Sequence, residues 1–170
     1  LTISKGNQGS IWVGTMGGGL NYFDQQKNQF ENYQFGQKNF ESTGKFDVTA
    51  ILEDRDGCIW WGTTGSGLYQ INWGKGIFRN YRHVSSDFTS ISHDQISCLF
   101  QDSKGRIWVG TNGGGLNLFD PQTGNFKRYQ AYFSDPNSLN DNHIYSICED
   151  RFGNLWIGTD GGLTCFYPTT

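Results

Sequence analysis

The apolar positions of this chain fall in short runs closed by turn signals, and the runs recur at a fixed interval. Ile11-Trp12-Val13-Gly14-Thr15 returns at 59–63, 107–111 and 155–159, so Trp12, Trp60, Trp108 and Trp156 each lie 48 residues from the last. A run of alternating apolar residues precedes this motif at 48–54, 96–102 and 144–150, with a trace at the start in Leu1-Thr2-Ile3-Ser4. Between the two runs stand Asp54–Gly57, Asp102–Gly105 and Asp150–Gly153. Asp at the first and Gly at the fourth position is a type I turn preference, because the Asp side chain bonds backbone N–H groups ahead of it. Asp54, Asp102 and Asp150 therefore read as turn formers. The first unit keeps only the glycine, Gly9. A third run begins Gly-Leu in every unit, and a fourth holds Phe30 and Tyr33, Phe78 and Tyr81, Phe126 and Tyr129. The turn between them ends in Asn28, Gly76 or Gly124, residues suited to positive φ.

Ile11, Trp12 and Val13 are consecutive and apolar, so both faces of this strand must be covered. Four short strands repeated at slightly more than 40 residues predict an all-β fold, a β-propeller in which each unit is one blade. The chain then forms a single propeller segment over 1–170, with blades at about 1–47, 48–95, 96–143 and 144–170. The last blade lacks its fourth strand. Four antiparallel blades are the lower limit for closure, so the expectation is a stretch of a larger propeller. Exposed blade faces would favour self-association or a homodimer. The tryptophans read as fillers between neighbouring blades, and the Gly after each as room for close backbone approach.

The pattern Asp-x-x-Gly-x-Ile/Leu-Trp-x-Gly-Thr-x-Gly-Gly-Gly-Leu, with a later Phe and Tyr and a linker ending in an Ile-rich first strand, resembles the two-component regulator propeller repeat. It covers essentially the whole chain, and Trp-x-Gly-Thr stands in all four registers. The resemblance implies the periplasmic sensor domain of a hybrid two-component histidine kinase, built from seven-bladed propellers. It implies an oligosaccharide ligand and the remaining blades of a parent chain as partners. It also implies a signal passed to a kinase, although no kinase, receiver or DNA-binding part is present here.

Composition narrows the picture. Aromatic residues make up 16 % of the chain, with 24 glycines and three prolines, which favours β structure and turns. A net charge of −3 is too mild to suggest a nucleic-acid partner. No apolar run approaches the length of a membrane span, and the first residues do not look like a signal peptide, which could stand upstream. Cys58, Cys98, Cys148 and Cys165 occupy four different repeat positions, so they read as free thiols packed as small hydrophobes and fit neither a disulfide framework nor a zinc site.

No cofactor and no metal are expected. The Gly-rich turns precede strands, whereas a phosphate cradle needs a following helix. His83, His93 and His143 fall at three different repeat positions, which argues against a catalytic or metal set. Asp24 and Asp120 read as turn formers, and Asp87 and Asp135 as local caps in the links.

The residue after Gly-Thr varies within a fixed frame: Met16, Thr64, Asn112 and Asp160. Varied residues on a fixed scaffold are candidate ligand contacts, although surface drift explains them too. Phe40, Phe88, Tyr132 and Phe133 lie in the links between blades. They could stack on sugar rings or plug gaps between blades. Three functions remain open at this point: a non-catalytic sensing segment, a propeller-based lyase or other glycan-active enzyme, and a protein-binding scaffold.

Overall fold

The computed structural model describes residues 1–33 and 47–168. Phe40 lies outside the described residues. Four antiparallel sheets follow one another along the chain. Strands β1 (Thr2–Lys5), β2 (Ile11–Thr15), β3 (Gly19–Asp24) and β4 (Gln29–Tyr33) form the first. The second holds β5 (Val48–Glu53), β6 (Ile59–Thr63), β7 (Leu68–Asn72) and β8 (Ile77–Tyr81). The third holds β9 (Ile96–Gln101), β10 (Ile107–Thr111), β11 (Leu116–Phe119) and β12 (Phe126–Tyr129). The fourth has three strands among the described residues: β13 (Ile144–Glu149), β14 (Leu155–Thr159) and β15 (Gly162–Phe166). Each sheet is a simple meander in sequence order. Among the described residues there is one short 3-10 turn, at Asn7–Gly9, and no helix long and apolar enough to cross a membrane.

The first strands β1, β5, β9 and β13 lie side by side in that order, so the sheets stack as the blades of a propeller around an inner row of strands. Three cores fill the gaps. Trp12, Val48 and Trp61 join blade one to blade two. Trp60, Ile96 and Val109 join two to three. Trp108, Ile144 and Ile157 join three to four. Trp12, Trp60 and Trp108 thus face the following blade, and Trp61, Val109 and Ile157 face the preceding one.

The burial of the central strands follows from this. β6 and β10 are buried at every position, as both-faced cover requires. In β2 only Trp12 and Gly14 are buried, and Val13, on the face away from blade two, is half-exposed. In β14 Leu155 and Ile157 are buried, but Trp156 is 37 % exposed. The expectation that all four tryptophans cement neighbouring sheets is thereby corrected for Trp156, because no sheet stands beyond blade four among the described residues. Ile3 on blade one and Tyr145 on blade four are exposed for the same reason. Blades one and four form the two ends of an open arc.

The glycine of the repeated motif is required by packing. A Cβ on Gly62 would run into Ile96, and one on Gly110 into Cys98 and Ile144. The first-strand residue of the next blade rests directly on this backbone. At Gly158 a Cβ would meet only Ser146 of its own blade.

The Asp turns do more than the sequence suggests. Asp102 Oδ1 accepts the N–H groups of Lys104 and Arg106 at 3.0 and 2.9 Å. Its Oδ2 accepts the indole N–H of Trp108 at 2.8 Å. Asp54 holds Trp60 in the same way at 2.8 Å, and Asp150 holds Trp156 at 3.0 Å. Trp12 has no such aspartate upstream, and its indole donates instead to Glu53 of blade two at 2.8 Å. The third turns take positive φ at Asn28, Gly76 and Gly124, as the sequence implied.

All four cysteines are free. Cys58 is buried and Cys98 packs beside the core between blades three and four, where burial pushes its thiol up to about 12. Cys148 departs from the expected packed state. It pairs across the sheet with Trp156 on the uncovered side of blade four and is exposed.

Candidate ligand-binding end

The varied residues occupy one end of the arc. In each blade the Thr before them donates its hydroxyl to the carbonyl that closes the hairpin: Thr15 to Gly19, Thr63 to Gly67, Thr111 to Gly115 and Thr159 to Gly162, at 2.8 to 3.1 Å. This fixes the loop and leaves Met16, Thr64, Asn112 and Asp160 exposed at its tip. The backbone N–H of Thr64, Asn112 and Asp160 donates to Asp47, Gln95 and His143, the residues that lead into the first strands. The second loops and the inner ends of the links therefore share this end. Gly17 N–H donates to the Asp47 carboxylate at 2.8 Å, so the first loop is tied to the entry of blade two.

The richest polar group lies on blade four. His143 Nδ1 stands 2.9 Å from Asp141 Oδ1 and 3.8 Å from Asp160 Oδ2. The Tyr145 hydroxyl donates to Asp160, and this bond, with some burial, raises the phenol above its ordinary value. The His143 backbone N–H holds the Asp141 carboxyl below the usual range. Asp141, His143 and Asp160 could each offer one ligand atom to a metal ion, within 4.8 Å of one another. They are partly or fully exposed and already bonded among themselves. His143 and Asp160 stand 48 residues after Gln95 and Asn112, whose side chains meet at 3.2 Å in blade three, so the pairing repeats a contact between the link and the second loop that spacing alone does not show.

The link aromatics divide differently. Phe88, Tyr132 and Phe133 are exposed, so none of them plugs a gap between blades. The carbonyl of Thr89 accepts the N–H of Phe126 on the outermost strand β12 at 2.7 Å. Phe88 thus stands at the perimeter, away from the tips of the second loops. Asp87 and Asp135 cap their own links through the N–H groups of Thr89 and Asn137.

A second concavity opens at the opposite end, between blades one and two. This groove of about 830 Å³ is lined by Trp73, Tyr22, Asp24, Arg55 and Glu53 among others. Trp73 stacks on Trp12 with ring centroids 6.3 Å apart and planes at 6°. The sequence reading passed over Trp73. The available signal was an aromatic in the third turn, where blades one and three place Gln25 and Pro121.

Residues 90–113 and 138–161 match the profile of a family described as two component regulator propeller. Among solved structures, one similar protein is an extracellular domain assigned to a hybrid two-component system of Bacteroides thetaiotaomicron. It is 25 % identical with a TM-score of 0.76, over 99 % of this chain and 21 % of that one. A second such extracellular domain from B. thetaiotaomicron is 24 % identical with a TM-score of 0.77, over 98 % of this chain and 24 % of that one. Virginiamycin B lyase of Staphylococcus aureus is similar in fold alone, at 15 % identity and a TM-score of 0.66, over 99 % of this chain and 55 % of the lyase. The chain thus spans about a fifth of the length of the extracellular domains it resembles. Among curated proteins no sequence match was found.

Proposed function

We propose, from the two stretches that match the two-component regulator propeller profile, that this chain is a non-catalytic segment of a periplasmic sensor domain. In this reading the parent is a hybrid two-component histidine kinase. The segment helps to detect an oligosaccharide, and binding is passed to the kinase by a change in how the blades sit. The carrying observation is the set of exposed residues Met16, Thr64, Asn112 and Asp160 on loops otherwise held alike. A frame kept constant with one variable tip per blade is how a repeat scaffold tunes recognition. Side-chain amide and carboxylate groups at Asn112 and Asp160 suit sugar hydroxyls, which both donate and accept. Open faces on blades one and four support further blades of the parent chain as neighbours.

Titration calorimetry of the complete ectodomain against a panel of oligosaccharides tests this reading. Heat without product formation supports it, and cleavage of the sugar overturns it in favour of a glycan-active enzyme. The double variant Asn112→Ala/Asp160→Ala should weaken binding by about tenfold or more if these tips contact the ligand. If Trp73→Ala alone weakens binding, the groove between blades one and two is the site instead.

A further inference from the structure

One contact that joins link to second loop changes its chemistry between blades three and four. In blade three two amides meet, and Asn112 Nδ2 donates to Gln95 Oε1 at 3.2 Å. Forty-eight residues on, the same two positions hold Asp160 and His143. Asp160 Oδ2 stands 3.8 Å from His143 Nδ1, and the same nitrogen has Asp141 Oδ1 at 2.9 Å. Two carboxylates therefore converge on one imidazole nitrogen. That nitrogen has a single N–H or a single lone pair to offer, so it can serve only one of them as a donor. A neutral amide pair in blade three thus becomes a site rich in negative charge in blade four.

The backbone holds these three side chains together. Asp141 Oδ1 accepts the His143 N–H at 2.7 Å, which closes the Asp-Asn-His turn on itself. The His143 carbonyl accepts the Asp160 N–H at 3.3 Å, and His143 forms a β-bridge with Asn112. The link and the second loop of blade four are thereby tied to each other and to blade three. One ligand atom from each of Asp141, His143 and Asp160 lies within 4.8 Å of the other two. A tetrahedral Zn²⁺ with bonds of about 2.0–2.2 Å sets its ligand atoms about 3.3–3.6 Å apart. The separations of 2.9 and 3.8 Å bracket that spacing. Asp160 is exposed, so a small rotation of its side chain closes the set.

We propose that Asp141, His143 and Asp160 bind one divalent transition-metal ion of the Zn²⁺ type at the tip of blade four, with solvent completing its shell. The donor set decides the class of ion. One imidazole nitrogen and two carboxylate oxygens suit Zn²⁺, Co²⁺ or Ni²⁺. Ca²⁺ asks for about six to eight oxygen ligands, and Mg²⁺ keeps most of its waters, so neither gains from the imidazole. The ion gives both carboxylates a shared positive partner, which a neutral imidazole does not. Tyr145 donates to the other oxygen of Asp160 and orients that ligand from outside the shell. The expectation of no metal weighed the three histidines as a set. This site uses one histidine with two carboxylates drawn from a link and a loop. It does not depend on the sensor reading, because no sugar takes part in it.

The probe is Co²⁺, titrated into the untagged 170-residue chain and followed by visible absorption, with Zn²⁺ as competitor. One equivalent should bind saturably and show the weak bands of a nitrogen and oxygen site, without the intense near-ultraviolet band of a thiolate ligand. Zn²⁺ should displace it, and Ca²⁺ should not. His143→Ala and Asp160→Asn should each lower the affinity by about tenfold or more. Asp160→Asn keeps the size of the side chain, so its loss of binding beside an unchanged melting curve is not a loss of fold. Cys148→Ser should bind as the parent chain does. Equal binding by His143→Ala overturns the proposal. So does a thiolate band that Cys148→Ser abolishes, or no binding by a chain whose melting curve is cooperative. Sugar is absent from this assay, so its failure leaves the sensor reading standing, and failure of sugar binding leaves the metal site standing.

Discussion

The Asp102 carboxylate accepts the indole N–H of Trp108 at 2.8 Å while its other oxygen holds the turn that precedes the tryptophan strand. One side chain thereby couples the first turn of blade three to the core between blades three and four. Arg106 adds an ion pair to the same oxygen at 2.6 Å. Burial raises the Asp102 carboxyl, but the bonds from Trp108 and Arg106 outweigh it and hold the group below its ordinary value. Asp102→Ala leaves the indole and two backbone N–H groups without their acceptor. It should cost about 2–4 kcal/mol, the range for breaking a buried network. Urea denaturation of this variant beside Trp108→Phe checks it. If the bond matters, the double variant should cost less than the sum of the two.

The four tryptophans are equal in sequence and unequal in structure. Trp108→Ala should cost about 3–5 kcal/mol, because it empties a site closed on both sides. Trp156→Ala should cost about 1 kcal/mol or less in the isolated chain, since its ring faces solvent. Denaturation midpoints of the two variants decide this, and equal losses would mean that something covers blade four in solution.

Much of this architecture could be read from the spacing alone, because strands, turns and blade count all follow the same 48-residue interval. The positive φ at Asn28, Gly76 and Gly124 was legible for the same reason. The Asp–Trp bond was present as a constant spacing of six residues in three units, yet a side-chain bond across a turn leaves no hydrophobic periodicity to betray it. Trp156 could not be told from Trp108, since burial depends on a neighbouring sheet and not on local sequence. The grouping of Asp141, His143 and Asp160 escaped because two loops at different repeat positions must meet in space. The link aromatics were left between packing and exposure, because only the three-dimensional surroundings decide it; Phe88, Tyr132 and Phe133 are exposed.

The motif glycines supply a matched pair of tests. Gly110→Ala would press a methyl onto Cys98 and Ile144, and the inner strand of blade four would have to move away. Overpacking of this kind costs about 1–3 kcal/mol. Gly158→Ala meets only the hydroxyl of Ser146, the end of a short side chain at an open face. Its cost should be smaller by at least about 1 kcal/mol. Thermal melts of the two single variants check the difference.

Acid stability should follow the Asp turns. Asp150 is held down to about 2 by the hydrogen bond from Asn154, assisted by those from the Trp156 indole and the backbone N–H groups of Asn154 and Phe152. Its ordinary value is 3.8. A carboxyl whose value is lowered in the folded chain binds its proton more readily when unfolded, so folding is favoured above 3.8. That contribution fades as the pH falls from about 4 towards about 2 and is gone below it. Asp102, also lowered, acts in the same direction. The unfolding midpoint should therefore drop over this window in the wild-type chain. Asp150→Asn removes one titrating group, so its stability curve should be flatter there while lying lower at neutral pH. Urea denaturation at closely spaced pH values measures both slopes, and identical slopes would show that the Asp150 carboxylate is not held in the way its bonds to Asn154 and Trp156 imply.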